Sequence, residues 1–251
     1  MAALSISKRI GSGSEMDKLL EAQYRSGIDP REQPLYTPTE AAEYLGVNSQ
    51  TLTTWFFGRT YTTKAGKQSW LPVFTPADND LRLLSFYNLA EAHVLAATRF
   101  EHEVPFPAVR EAIIRLVEMY PSSAIHPLLA DDFFTDGKNL FVKTINETVN
   151  VSSQQLPLSI MDAFLARVIR DLSFKPYKIY PLRKGEPDDR VISITAGVSA
   201  SRPIVDSASV PVFAIWRRFN AGEEVRFIAQ DFELDIAQVE RAINYVERRA
   251  A

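Results

Sequence analysis

The sequence predicts a mainly α-helical chain with small β-hairpins, an α+β class. Three observations predict it: apolar residues recurring at helical spacing over most of the chain, helix–turn–helix patterns near both ends, and short β-prone runs around turn residues. A length of 251 residues suits one or two domains. Hydrophobic residues at 46% and charged residues at 24% are ordinary for a globular chain, which excludes collagen, coiled coil and wholesale disorder. Cysteine is absent, so disulfide scaffolds, thiolate metal sites and cysteine nucleophiles are excluded. With 28 basic and 31 acidic residues the net charge is -3, so any attraction to nucleic acid has to be local.

Residues 1–34 carry Gly11, Gly13, Gly27, Pro30 and Pro34 and little apolar periodicity outside Met16 to Tyr24. They are expected to form a flexible arm with one short helix. The strongest local signal follows. Thr37 fits a helix N-cap, Pro38 the first helical position and Glu40 the third, a capping box that satisfies two otherwise unpaired N–H groups. This helix carries Ala41, Ala42 and Leu45 and stops at Gly46. Asn48 caps the next helix, and Val47 with Leu52 suits a hydrophobic staple between the two.

The second helix, near Ser49 to Phe57, turns Leu52, Trp55 and Phe56 inward and leaves Gln50, Thr51, Thr53 and Thr54 outward, short polar side chains suited to groove contacts. From Arg59 to Trp70 two β-prone runs flank an Ala65-Gly66 turn, with Arg59, Lys64 and Lys67 and no acidic residue. Two short helices also serve as a plain packing motif. The acid-free hairpin behind them favours a winged helix-turn-helix that meets DNA.

Residues 80–120 have helical spacing twice, through Phe86, Leu89, His93 and Ala97, then Val109, Ile113 and Leu116. Residues 139–143 and 148–152 alternate at period two around Asn146-Glu147 and predict a small hairpin. Helical spacing returns over 158–172, and short strands are expected at 177–181 and 191–194. The last fifty residues read as a tri-helical module: Val212, Ile215, Trp216 and Phe219 make one face ending at Gly222, and Val225, Ile228 and Phe232 the next. A third helix starts at Asp235 with Gln238 at the reciprocal capping position and Leu234 with Val239 as a staple. Seven basic residues face eight acidic ones after residue 199, which assigns this end to protein contact, with Trp216, Arg217, Arg241 and Arg248 as partner-facing residues.

Catalytic patterns are missing. His93, His102 and His126 have no metal-ligand spacing, and neither a nucleophile elbow, a phosphate-binding loop nor a dinucleotide fingerprint occurs. The acidic pairs Asp131-Asp132 and Asp188-Asp189 are candidates for Mg²⁺, and a hydrolase would use Asp131, Asp132 or Asp136, but adjacent carboxylates in such loops are mostly solvated turn residues. The chain is therefore expected not to be an enzyme and to need no cofactor and no metal. No apolar run reaches the length of a signal peptide or a membrane span, so a cytoplasmic location is expected.

The strings Arg202-Pro-Ile-Val205, Ile215-Trp-Arg-Arg-Phe-Asn-Ala-Gly-Glu-Glu224, Ile228-Ala-Gln-Asp-Phe232 and Val239-Glu-Arg-Ala-Ile-Asn-Tyr245 resemble the domain of unknown function numbered 433. Leu84 to Ala97, His126-Pro127, Phe134-Thr-Asp-Gly137 and Leu140-Phe-Val142 are similar to its larger members, which carry a winged helix in front. The resemblance covers about residues 36–246. It implies an antitoxin of the VapB type: a homodimer that binds operator DNA and neutralises a cognate PIN-type ribonuclease toxin. Ser207-Ala208-Ser209 stands where the family commonly has Gly-Thr-Arg, so the role of that arginine does not carry over. Few residues follow Val246, which directs toxin contact to the folded C-terminal module or to the arm.

The expected organisation is an arm over 1–34, a winged helix-turn-helix with its following helices over 35–121, a connecting α+β region over 122–198 and a tri-helical antitoxin-like domain over 199–251. Gln50, Thr51, Thr53 and Thr54 are expected at base edges and Arg59, Lys64 and Lys67 at phosphates. The alternatives are a protein-interaction module that binds no DNA and a transcription regulator without a toxin partner.

Overall fold

Thr37 Oγ1 accepts a 3.2 Å hydrogen bond from the Glu40 N–H and starts helix α1, Pro38–Leu45. The computed structural model describes residues 29–63, 66–101, 104–149, 155–182 and 189–247. Helix α1 ends at Gly46 in the left-handed conformation (φ 64°), which lets the Val47 N–H reach back to the Ala42 carbonyl at 2.9 Å. Asn48 Oδ1 then accepts from the N–H groups of Gln50 (2.9 Å) and Thr51 (3.3 Å) and opens α2, Ser49–Phe57. Half of the expected capping box forms. The Glu40 carboxylate turns away from the Thr37 backbone, accepting from the Tyr44 hydroxyl at 2.6 Å and pairing with Arg202 at 3.1 Å. A charged donor outcompetes a peptide N–H for a carboxylate.

Strands β1, Arg59–Thr63, and β2, Gly66–Trp70, form the antiparallel wing, with Arg59 opposite Trp70 and Thr63 opposite Gly66. The chain returns to α2 through two bonds to the Trp55 carbonyl, from the N–H groups of Val73 (2.8 Å) and Phe74 (3.2 Å). Helix α3, Phe86–Glu101, is buried around most of its circumference, with Asn88, Glu91 and His93 among its apolar residues, and carries the main core. Helix α4, Phe106–Met119, adds Phe106, Val109, Ile113 and Leu116 to the same core.

The expected hairpin over 139–152 is not seen among the described residues: α5 spans Lys138–Thr148, entered through a π-helical turn at Phe133–Gly137, and residues 150–152 lie outside the described residues. Leu140 and Val142 fit period two, but Phe141, Val142 and Ile145 also fit one helical face, and that face is buried against α4. Phe141 meets Phe133 edge-on, with ring centroids 5.6 Å apart. Asn146, read as a turn residue, instead clasps the following chain: its Oδ1 accepts from the Leu156 N–H (2.7 Å) and its Nδ2 donates to the Leu156 carbonyl (3.0 Å).

Helical spacing over 158–172 is likewise only partly used. Helix α6, Leu158–Leu165, ends early, and Val168–Arg170 becomes β3, because pairing with β4, Pro176–Ile179, satisfies the backbone beside the core. A five-stranded antiparallel sheet continues through β5, Ile192–Thr195, β6, Ile204–Val205, and β7, Val210–Pro211. The three C-terminal helices follow as α7, Val212–Asn220, α8, Val225–Phe232, and α9, Ile236–Glu247. Gln238 Oε1 accepts from the Asp235 N–H at 3.0 Å, the reciprocal bond that the spacing predicts.

Two apolar clusters result. The larger gathers α1 to α6 and Ile179 and Ile194 of the sheet; the smaller gathers Ile192, Val205 and the inner faces of α7 to α9. Strand β5 therefore contributes to both. Asp206 ties the sheet together by accepting from Lys178 (2.7 Å), Tyr180 (2.8 Å) and Ser193 (2.6 Å).

Candidate nucleic-acid interface

Helix α2 buries Leu52, Trp55 and Phe56 and leaves Gln50 exposed, with Thr51, Thr53 and Thr54 partly so. Gln50 and Thr54 stack one turn apart, and the Thr54 hydroxyl donates back to the Gln50 carbonyl at 2.8 Å. Gln50, Thr51 and Thr54 open onto one cleft of about 480 Å³, whose far side is Arg59, Trp70, Arg99 and Phe106. Thr53 lies on the other flank of the helix and does not line this cleft.

Strand register divides the wing cations. Cross-strand partners share a face, so Arg59 projects with Trp70 toward the cleft, whereas Lys67, opposite Thr62, projects from the reverse face. Both are exposed. Lys64 lies outside the described residues. The wing is held against the body rather than free. Trp70 stacks on Phe106 with centroids 5.7 Å apart, Arg110 Nη1 donates to the Leu71 carbonyl at 2.7 Å, and the Arg99 guanidinium lies 5.2 Å over the Phe106 ring. Burial lowers the Arg99 pKa from its ordinary value. Gly58 permits the sharp exit from α2: its φ is +69°, and a Cβ there would collide with the Trp70 carbonyl. Arg99, Trp70 and Phe106 were not singled out by the sequence, because an arginine and aromatics on separate elements have no shared spacing to reveal them.

At the C-terminal end, Trp216 and Arg217 line a groove between α1 and α7. Arg241 is separated from them. Its Nε donates to Asp189 Oδ2 at 2.9 Å and its side chain is only 12% exposed, so it serves the packing of α9. Arg248 lies outside the described residues.

Three hydrogen bonds and an ion pair fasten this end to the helix-turn-helix. Tyr36 Oη donates to the Ser201 carbonyl (2.6 Å), Tyr245 Oη to the Tyr44 carbonyl (2.7 Å), and Arg202 Nε to Glu40 (3.1 Å), whose carboxylate it also pairs with through Nη2. Ser199, Ala200 and Ser201, which lead into this junction, all hold left-handed backbone angles with φ of 51° to 55°.

His93 and His126 serve the fold. His93 is buried with both ring nitrogens unpartnered, and burial together with nearby Arg167 pulls it down to about 3, so it is a neutral core residue. His126 sits between two carboxylates, 2.9 Å from Glu91 on one side and from Glu32 on the other. Burial lowers its pKa, but the two bonds outweigh that and raise it to about 10. His102 lies outside the described residues. Asp131 pairs with Arg170, and Asp132 accepts from the Ser122 hydroxyl. Among the described residues no group of three His, Asp or Glu side chains is placed to hold a metal ion. No described helix is long and apolar enough to cross a membrane.

Residues 34–113 match the family described as "Putative DNA-binding HTH domain", a span that covers α1, α2, the wing, α3 and half of α4. The chain is 24% identical over 229 residues to "Putative antitoxin VapB45" of Mycobacterium tuberculosis (strain ATCC 25618 / H37Rv), a match over 85% of this chain and 94% of that protein. The chain resembles VapB-type antitoxins. The crystal structure of Rv2018 from Mycobacterium tuberculosis shares the fold, with a TM-score of 0.60, 23% identity, and coverage of 84% of this chain and 97% of that one. The match to a VapB-type antitoxin and the match to a helix-turn-helix of DNA-binding type thus fall on the same chain.

Proposed function

We propose that this chain is the antitoxin of a type II toxin–antitoxin pair, a cytoplasmic homodimer that represses its own operon and neutralises a PIN-type ribonuclease by direct binding. The observation that carries the DNA half of this reading is the convergence of Gln50, Thr51 and Thr54 with Arg59 on one cleft. With α2 in the major groove, Gln50 is suited to a bidentate contact with adenine and the threonine methyls to thymine. The wing then lies along the flanking backbone, with Arg59 and Lys67 meeting phosphates from its two faces. Lys64, which follows Thr63 in the sequence, is assigned to the same role. The C-terminal helices, with their mixed charge, are left for protein contact.

A gel-shift titration against a fragment from upstream of the gene tests the reading. Each phosphate-facing cation contributes about -0.9 to the slope of log K against log salt, so three give about -2.7 per protomer. Arg59→Ala with Lys67→Ala should weaken binding to all sequences and flatten the slope by about 1.8 per protomer. An unchanged slope removes the wing from the interface, and no shift by the unaltered protein supports the alternative of a protein-interaction module.

A further inference from the structure

Arg82 holds a left-handed backbone with φ of 54°, a region that residues with a Cβ enter only when their surroundings impose it. The surroundings do so here. The loop before Leu84 is closed by two 3.0 Å hydrogen bonds between the backbones of Asp78 and Leu83, and the Asp78 carboxylate accepts from the Leu81 N–H at 2.8 Å. Leu84 in turn donates to the Tyr36 carbonyl at 2.8 Å and accepts from the Tyr36 N–H at 2.9 Å. Backbone strain that neighbours hold in place concentrates at sites of function.

The side chain from this strained position reaches α2. The Arg82 guanidinium lies 4.2 Å from the centroid of the Phe57 ring, within cation–π range. Phe57 is the last residue of α2 and stands seven residues, about two turns, beyond Gln50. That spacing puts Phe57 on the outward face of the helix with Gln50, away from buried Leu52, Trp55 and Phe56, and Thr53 lies one turn before it. Arg82 is exposed, and no carboxylate among the described residues pairs with it: Asp78 is turned to the Leu81 N–H, and Asp80 makes no ion pair with the guanidinium. A cation from a separate loop is thus laid on the outward face of α2.

We propose that Arg82 is a further DNA-contacting residue, seated on Phe57 to meet a backbone phosphate at the border of the major groove that α2 enters. This assignment rests on the DNA-binding reading above. At 1.5 Å per residue, Phe57 lies about 10 Å along the helix from Gln50. That distance suits a base contact within a groove about 12 Å wide and a phosphate contact at its edge. A guanidinium laid against a ring keeps its N–H edge for a phosphate and has fewer rotamers left to lose on binding. Arg82 has no spacing in the sequence that would reveal it, because its link to α2 is made across 25 residues by the fold.

The test is a gel-shift salt titration of the full chain against the fragment from upstream of the gene. Arg82→Asn removes the cation and tolerates the left-handed backbone, and Arg82→Lys keeps the charge without the flat guanidinium. Arg82→Asn should bind about tenfold more weakly and flatten the slope of log K against log salt by about 0.9 per protomer, beyond what the wing cations contribute. Arg82→Lys should keep the slope, and the thermal melt of Arg82→Asn should not fall. In a scan of single methylphosphonate linkages, one uncharged position should weaken the unaltered protein and leave Arg82→Asn unaffected. If the unaltered protein shifts the fragment and Arg82→Asn matches it in slope and within about twofold in affinity, the Arg82 assignment is overturned and the DNA-binding reading stands. A weaker complex with an unchanged slope also overturns it, since a residue that merely supports α2 releases no counterions. Absence of any shift by the unaltered protein overturns the DNA-binding reading, and the Arg82 assignment falls with it.

Discussion

The phenol of Tyr245, near the end of the last helix, donates a 2.7 Å hydrogen bond to the backbone carbonyl of Tyr44 in the first described helix. Tyr245 is fully buried, as is Tyr36, which makes the mirror-image contact to Ser201. The C-terminal module is therefore hydrogen-bonded to the helix-turn-helix through groups that cannot turn to water instead. Tyr245→Phe should destabilise the protein by about 1 kcal/mol, since the partner carbonyl loses a buried donor. Denaturant titration should show one cooperative transition for the unaltered chain, with the variant shifted to a lower midpoint. Two well-separated transitions in the unaltered protein would show that the junction carries no coupling.

The Glu91–His126–Glu32 arrangement sets a pH dependence. Its folded-state pKa of about 10 lies above the ordinary value of 6.5, so between these values the folded chain holds more protons than the unfolded one. The stability that His126 contributes is then fully present below pH 6.5 and is lost as pH rises toward 10. Unfolding free energies measured across this window should fall with pH in the unaltered protein. His126→Gln should flatten that fall, and equal slopes for the two proteins would refute the assignment.

Gly58→Ala should displace the wing. The substitution forces an alanine to a positive φ with an extended ψ, a region essentially restricted to glycine, at a cost of about 1–3 kcal/mol, and drives its Cβ into the Trp70 carbonyl. The expected results are a lower melting temperature and weaker DNA binding, although residue 58 itself meets no base. Unaltered affinity in a gel shift would mean that wing placement is irrelevant to the complex.

Arg241 separates packing from partner contact. Arg241→Ala leaves Asp189 without its guanidinium in a mostly buried setting and should destabilise the fold by about 1–3 kcal/mol. Toxin affinity, measured below the melting transition, should be unchanged. A selective loss of toxin binding with no change in stability would instead return Arg241 to the interface.

Much of the helix-turn-helix was legible because its signals are local. Thr37, Gly46 and Asn48 each act on backbone groups within five residues, and each does so in the structure. The wing was legible from β-prone runs around a turn. Residues 139–149 were misread because Leu140 and Val142 satisfy both periods, and the choice belongs to α4, which offers an apolar face to Phe141 and Ile145. The cleft was half legible: Gln50, Thr51, Thr54 and Arg59 follow from pattern, but Trp70, Phe106 and Arg99 join it only through packing across three elements.

By itself the sequence determined the helix boundaries near both ends, the wing with its uneven charge, and the absence of cysteine chemistry. Caps, periodicity and composition act over a few residues, so they are written in order along the chain. Only the tertiary structure decided that Glu40 serves Arg202 rather than its own cap, that Arg241 is an internal ion pair, and that two tyrosine phenols join the modules. Those contacts span 162, 52, 165 and 201 residues, and they exist because burial removes water as a competing partner and leaves each polar group only the donors and acceptors that folding brings beside it.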